Sequence, residues 1–313
     1  MKYVERREPS QAIGIDMGGT TTRAGMVVGG DIVGPVRRVA TSELGSFPGL
    51  IEWIVSTVQA LSARTEASSA DPPGVNMSVP GLLDERSERV SHCINVPWLN
   101  DQPLVRAVTE ALGRRVALVT DSNAATWGEY VARPNRPSSF AHMRLGTGVA
   151  FGLVADGALV DLDRGRTQHL ETLIVDHSAK AQRCGCGLRG CLETVSSGIV
   201  LERSGRALGL GPSLQDLARA DKKGVREANA LLSETARSIR MAIENVRARW
   251  NPEVVALGGG VIETIPALLE RVVNPLNEPG RHGAVAPPTI GSITPPLLGD
   301  NAGVVGAALL APT

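Results

Sequence analysis

The sequence predicts an α/β protein of two domains with mixed sheets. Strand-like apolar runs alternate with segments of helical periodicity along the chain. A glycine-turn hairpin opens the sequence, and a second set of strands starts near Phe140. At roughly 150 residues per domain, a length of 313 residues accommodates two.

From Gln11 the chain reads Ala-Ile-Gly-Ile-Asp-Met, then Gly18-Gly19, then a second apolar run ending in Met26-Val27-Val28, the pattern of a β-hairpin. Gly29-Gly30 turns into a third strand near Asp31 to Val39. Leu50, Ile51, Ile54, Val55, Val58 and Leu61 recur at helical spacing. After a Ser/Asp/Pro loop from Ser68, Val75 to Val79 is a strand ending in Pro80-Gly81. Val116 to Val119 is a buried strand, and Asp121-Ser122-Asn123 opens a helix with good N-cap chemistry. Phe140 to Leu145 and Val149 to Val154 flank Gly146-Thr147-Gly148 as strands. A long helix carries Leu232, Ala236, Ile239, Ile243, Val246 and Trp250 on one face and stops at Asn251-Pro252. Val254 to Leu257 is a strand running into Gly258-Gly259-Gly260, and an apolar helix spans Ala302 to Leu310.

Composition excludes several classes. Apolar residues make up 42% and charged ones 20%, so the chain is globular. With 32 basic and 32 acidic side chains it lacks the electrostatic footprint of a general nucleic-acid binder. No stretch nears the ~20 consecutive apolar residues of a membrane helix. Met1 to Ser10 is charged and has no signal-type apolar run. The expectation is a cytoplasmic protein that binds neither nucleic acid nor membrane. Only three Phe, two Tyr and four Trp stand against 35 Gly and 20 Pro, so the core is aliphatic and the glycines mark turns or close approaches.

Cys184, Cys186 and Cys191 fall in one short segment, Cys-Gly-Cys-Gly-Leu-Arg-Gly-Cys. Three thiolates with interleaved glycines supply three corners of a tetrahedral, structural Zn²⁺ site. The fourth corner is His177 or His169, with His177 preferred because it lies nearer in sequence. Cys93 stands apart as a packed small hydrophobe.

Three glycine loops could face phosphates. In Asp16-Met17-Gly18-Gly19-Thr20 the turn offers backbone N–H groups, Thr20 a hydroxyl, and Asp16 a carboxylate suited to Mg²⁺ through water. Gly146-Thr147-Gly148 lies between two strands. Gly258-Gly259-Gly260 lies between a strand and a helix start. None matches the P-loop or the Gly-x-Gly-x-x-Gly fingerprint.

Taken together these motifs resemble the ROK family (repressors, open reading frames, kinases) of the actin-like ATPase and hexokinase superfamily. Pro80-Gly81-Leu82-Leu83-Asp84, Asn95-Val96-Pro97-Trp98, Leu192-Glu193 after the cysteines and Gly303-Val304-Val305-Gly306-Ala307-Ala308 are similar to family segments in the expected order. The resemblance implies the two-domain, ribonuclease H-like fold with an interdomain cleft. Residues 1–119 plus 301–313 would form a small domain, and 120–300 a large one carrying the zinc loop 177–191. It also implies an ATP- and Mg²⁺-dependent carbohydrate kinase. Asp121 would be the general base, and Gly81, Asn95, Asp121 and Glu193 would contact sugar. A homo-oligomer, a dimer, is implied as well. Repressors of the family carry an added N-terminal DNA-binding domain, and the short segment ahead of the first strand here leads to the expectation of a kinase or a silent relative and not a repressor.

Two departures stand out. The family has Asn before the catalytic Asp, where this chain has Thr120. The family also has Gly-Glu-x-Gly-His ahead of the cysteines, its His serving both zinc and sugar. Aligned on the strand Leu173 to Val175, His169 replaces that Glu and Thr172 that His. Counted back from Cys184, Glu171 keeps its place and Ile174 replaces the His. Either way the substrate expectation moves from glucose toward an amino sugar or a cyclitol. The alternative is a non-catalytic, sugar-binding regulator.

Overall fold

The structure is a computed structural model describing residues 11–63, 73–84, 86, 88–160, 162, 171–274 and 292–310. It has the expected α/β architecture with mixed sheets. The chain opens with β1 (Gln11–Met17), β2 (Thr21–Val28) and β3 (Asp31–Ala40). Then come α1 (Thr41–Leu44) and α2 (Phe47–Ser62). β4 (Gly74–Val79), the short pair β5 (Leu82–Leu83) and β6 (Val90–His92), α3 (Leu104–Leu112), β7 (Val116–Thr120) and α4 (Asp121–Val131) follow.

The first sheet runs β3-β2-β1-β4-β7. β1, β2 and β3 form an antiparallel meander, while β4 lies parallel to β1 and β7 parallel to β4. Ala12, Ile13, Ile15 and Met17 of the central β1 are fully buried, as a strand covered on both faces requires. β3 lies at the edge, where Pro35 removes one ladder donor and a bulge interrupts pairing between Ala24 and Met26. In α2 the Ser46 hydroxyl accepts from the Gly49 N–H at 3.3 Å as an N-cap. Its buried face is Leu50, Ile54, Thr57, Val58 and Leu61, close to the predicted stripe.

The second sheet runs β10-β9-β8-β11-β12, built from β8 (Ser139–Leu145), β9 (Val149–Ala155), β10 (Ala158–Val160), β11 (Val254–Gly258) and β12 (Ser292–Thr294). β11 is parallel to both β8 and β12. Its helices are α5 (Glu193–Ser196), α6 (Gly198–Ala207), α7 (Leu214–Lys222), α8 (Arg226–Trp250), α9 (Gly260–Thr264) and α10 (Pro266–Val273). α8 buries Leu232, Ala236, Ile239, Ile243 and Val246 and ends at Asn251 in the left-handed conformation, one residue before Pro252. The segment after the third glycine turn is two helices, because Pro266 has no N–H to continue α9 and starts α10.

The chain divides into two compact units. One comprises residues 1–136, 152–168 and 297–313, the other 137–151 and 169–296. α4, with Asp121, thereby groups with the N-terminal sheet. The last helix, α11 (Ala302–Leu309), is buried throughout and packs in the first unit against α4 and β1. Contact there is backbone on backbone. A Cβ on Gly306 would overlap the Ala124 carbonyl, and one on Gly128 the Ala302 carbonyl. Gly306→Ala is therefore expected to destabilise the first unit by about 3 kcal/mol, the upper range for overpacking, because the obstacle is main chain with no rotamer to yield. Urea unfolding measures it. No helix among the described residues is long and apolar enough to cross a membrane.

Candidate functional site

In the first unit three parallel strands end side by side, the edge at which open α/β sheets bind ligands. The register pairs Asp16 of β1 with Ser78 of β4, and Val79 with Thr120 of β7. Asp16 is buried, and the Ser78 hydroxyl donates to its Oδ1 at 2.7 Å. Gly303 lies flush against that carboxylate, where any side chain would overlap it. Beyond Asp16 the turn is closed by the Gly18 N–H donating to the Thr21 carbonyl at 3.0 Å. The Thr41 hydroxyl donates to the Gly18 carbonyl at 2.8 Å. Gly19 and Thr20 remain exposed, leaving their backbone open to a ligand.

Asn95, also exposed, lies beside Gly19, whose Cβ position would be 3.1 Å from the Asn95 Cβ. Gly81 takes φ +99°, and a side chain there would strike the His92 carbonyl. Asp121 is half-buried at the first turn of α4, with the Ser122 N–H donating to its Oδ1 at 2.8 Å. Thr120 is the N-cap, its hydroxyl accepting from the Asn123 N–H at 3.4 Å. Cys93 is buried, next to Gly81. Burial pushes its thiol up; backbone hydrogen bonds at Val96 and Asn95 oppose that, and the Asp121 charge adds to it. The thiol is thus a packed group.

In the second unit the β8–β11 register sets Gly258 beside Arg144, so both remaining glycine turns lie at one sheet end. Gly259 adopts φ +95°, and its Cβ position would be 2.6 Å from the Leu145 carbonyl oxygen. The Gly146 N–H donates to the Gly148 carbonyl at 2.9 Å, and the Gly198 N–H to the Gly146 carbonyl at 2.7 Å. Thr147, at the tip, is exposed. Glu193 opens α5, and its Oε2 accepts from the Val149 N–H at 2.9 Å.

The sulfurs of Cys184, Cys186 and Cys191 lie within 4.8 Å of one another, and none of the cysteines is in a disulfide. Cys186 and Cys191 are 3.6 Å apart at sulfur. Zn–S bonds of about 2.3 Å place tetrahedral sulfurs about 3.8 Å apart, so the donor set fits Zn²⁺. Burial lifts the Cys184 thiol to about 12, and the Cys191 thiol rises for the same reason. A bound cation would displace those protons.

His177 is exposed and is not part of the three-cysteine group. His169 lies outside the described residues. Glu171 starts the short 3₁₀ turn Glu171–Leu173. A β-bridge sets Ile174 directly across from Cys191.

Sequence reasoning did not single out Ser78, which carries no motif of its own. It also passed over Glu129, whose carboxylate is fully buried and accepts from the N–H groups of Leu297, Leu298 and Gly299.

A model described as "ROK family" matches residues 12–313. A glucokinase of Thermotoga maritima is 29% identical over 319 residues, covering 95% of each chain. An N-acetylmannosamine kinase of Salmonella typhimurium is 28% identical over 305 residues, covering 96% of this chain and 97% of its own. Among solved structures, a ROK hexokinase from Thermus thermophilus superposes with a TM-score of 0.77 at 28% identity, covering 96% of this chain and 97% of that one.

Proposed function

The chain belongs to the ROK family, and from that premise we propose that it is an ATP- and Mg²⁺-dependent kinase of a hexose, amino sugar or cyclitol. One observation carries the reading. The parallel strand ends of the first unit present an anchored carboxylate, Asp16, an open glycine turn and a second, half-buried carboxylate, Asp121, at a helix start. Phosphoryl transfer to a hydroxyl needs those parts: a cation ligand, N–H groups for phosphate oxygens, and a base for the attacking oxygen.

In this reading Asp121 accepts the proton of the sugar hydroxyl, a primary one. Asn95 and the backbone at Gly81 hold other hydroxyls, and Gly18, Gly19 and Thr20 cradle phosphate. Gly146, Thr147, Gly258, Gly259 and Gly260 are the further nucleotide-binding residues of this reading. Bound Mg²⁺ would offset phosphate charge, with Asp16 holding it through water. Bound Zn²⁺ would cross-link the Cys184, Cys186 and Cys191 loop. For its fourth corner the exposed His177 would have to turn inward, and His169 is the other candidate.

The bridge between Ile174 and Cys191 favours the count in which Glu171 keeps the family's Glu and Ile174 stands in place of its His. An apolar side chain beside the cluster removes one hydroxyl partner, which supports a modified sugar over glucose. The same change motivates the second reading, a sugar-binding regulator without turnover.

ATP turnover with a panel of hexoses, N-acyl amino sugars and cyclitols separates the two. The kinase reading expects at least one acceptor to be phosphorylated with kcat/KM above about 10⁴ M⁻¹ s⁻¹. Saturable sugar binding with no phosphoryl transfer to any of them overturns it.

A further inference from the structure

Arg23 belongs to none of the sequence motifs, yet the register of β1 and β2 sets it directly across from Asp16. On its other side Arg38 of β3 lies opposite it. Residues opposite each other in a sheet share a face, as do residues two apart along a strand. The face is the one that α11 covers. A Cβ at Gly14 or at Gly25 would meet Val304, and Gly303 lies against the Asp16 carboxylate. Arg23 and Asp16 therefore project side by side toward the start of α11.

Opposite charges so placed attract, and the like charge of Arg38 adds to the push toward Asp16. The Arg23 guanidinium nevertheless turns elsewhere. Its Nη2 donates to Asp300 Oδ2 at 2.7 Å, and Asp300 lies in the 3₁₀ turn Gly299–Asn301 that leads into α11. The Arg23 side chain is only 15% exposed, and its Nε is buried with no hydrogen-bond partner among the described residues. Asp300 thus aims a confined cation, and is itself 56% exposed, so replacing it opens no hole in the core.

We propose that Asp300 is a positioning residue for the cation site: it holds the Arg23 guanidinium at the entry to α11 and so keeps it off Asp16, whose carboxylate stays available to hydrated Mg²⁺. A guanidinium on Asp16 would occupy the lone pairs that the waters of a bound cation use. It would also add positive charge where that cation has to enter. The placing of Arg23 stands on geometry alone, whereas its effect on Mg²⁺ rests on the kinase reading.

The test uses the full chain as wild type, Arg23→Met, Asp300→Ala and the double variant. Equilibrium ADP binding is titrated against Mg²⁺ and repeated in EDTA, and a crystal structure of Asp300→Ala locates Arg23. Asp300→Ala is expected to raise the Mg²⁺ concentration for half-maximal ADP binding about tenfold and to leave ADP affinity in EDTA within about threefold of wild type. Arg23→Met stays within about threefold of wild type, and the double variant returns to that range. A loosened entry to α11 would raise the Mg²⁺ requirement too, but removing Arg23 would not restore it.

Should Asp300→Ala fold poorly, Asp300→Asn removes the charge at nearly the same shape and is expected to shift the Mg²⁺ requirement in the same direction. A double variant as weak as Asp300→Ala, or an unchanged Mg²⁺ requirement in Asp300→Ala, overturns the proposal. If no variant binds ADP and Arg23 lies on Asp16 in the Asp300→Ala structure, the restraint is upheld and the kinase reading is removed instead. Arg23 still turned away from Asp16 in that structure overturns the restraint itself.

Discussion

Asp121→Asn is expected to lower kcat by about 10²- to 10⁴-fold, the usual worth of a positioned general base. That is about 3–5 kcal/mol of barrier. The amide is nearly isosteric and keeps an oxygen for the Ser122 N–H that Oδ1 now accepts at 2.8 Å, so the start of α4 has no reason to move. Thr120 caps the same turn independently through the Asn123 N–H. Sugar affinity should therefore stay within about threefold and the melting temperature within about 2 °C, since surface-type changes at partly exposed sites cost little. The split separates the two roles of a helix-start carboxylate. A group that merely capped the helix would show its loss in stability and leave kcat untouched. Thermal unfolding, sugar titration and initial rates on one preparation distinguish them, and a kcat within threefold of wild type removes Asp121 from the chemistry.

What was legible in the sequence was what local periodicity encodes. The Gly18-Gly19 hairpin, the α2 stripe from Leu50 to Leu61 and the α8 face from Leu232 to Val246 are set by neighbours within a few residues. β12 was missed because Ser292–Thr294 is too short to show a period, and it exists only as a parallel partner of β11. The break between α9 and α10 was readable from Pro266, but the surrounding apolar run masked it.

Candidate site residues sorted differently. The glycine turns and the three cysteines declare themselves, because backbone exposure and thiolate clustering are properties of the segment itself. Their supports do not. Ser78 reaches Asp16 across 62 positions, and Glu129 reaches Leu297 across 168. His177 gives the opposite lesson, since nearness to Cys184 along the chain leaves it exposed and outside the sulfur group.

Glu129→Ala is expected to be the most destabilising single change in the first unit. The carboxylate is fully buried in α4 and accepts from Leu297 and Leu298 at 2.7 Å each and from Gly299 at 3.1 Å. Arg133, one turn on, is 3.9 Å away. Burial pulls that guanidinium below its ordinary value, and the Glu129 charge opposes the pull. Truncation would leave three N–H donors without their acceptor and remove the Glu129 charge from beside a mostly buried cation. Breaking such a pair from one side costs about 3–5 kcal/mol, set against a total stability of about 5–15 kcal/mol for a typical domain. Glu129→Gln keeps one acceptor oxygen but turns an NH₂ toward the donors, so its cost should be smaller, about 1–3 kcal/mol. The consequence reaches function through the chain itself. Leu297 to Gly299 leads into α11, whose Gly303 lies against the Asp16 carboxylate. Loosening that lead-in should raise the Mg²⁺ concentration needed for half-maximal rate in Glu129→Gln while sugar affinity holds. Urea unfolding at constant m gives the energies, and a Mg²⁺ titration gives the rest. An alanine variant within 1 kcal/mol of wild type would mean that water replaces the carboxylate and that the segment before α11 is held by something else.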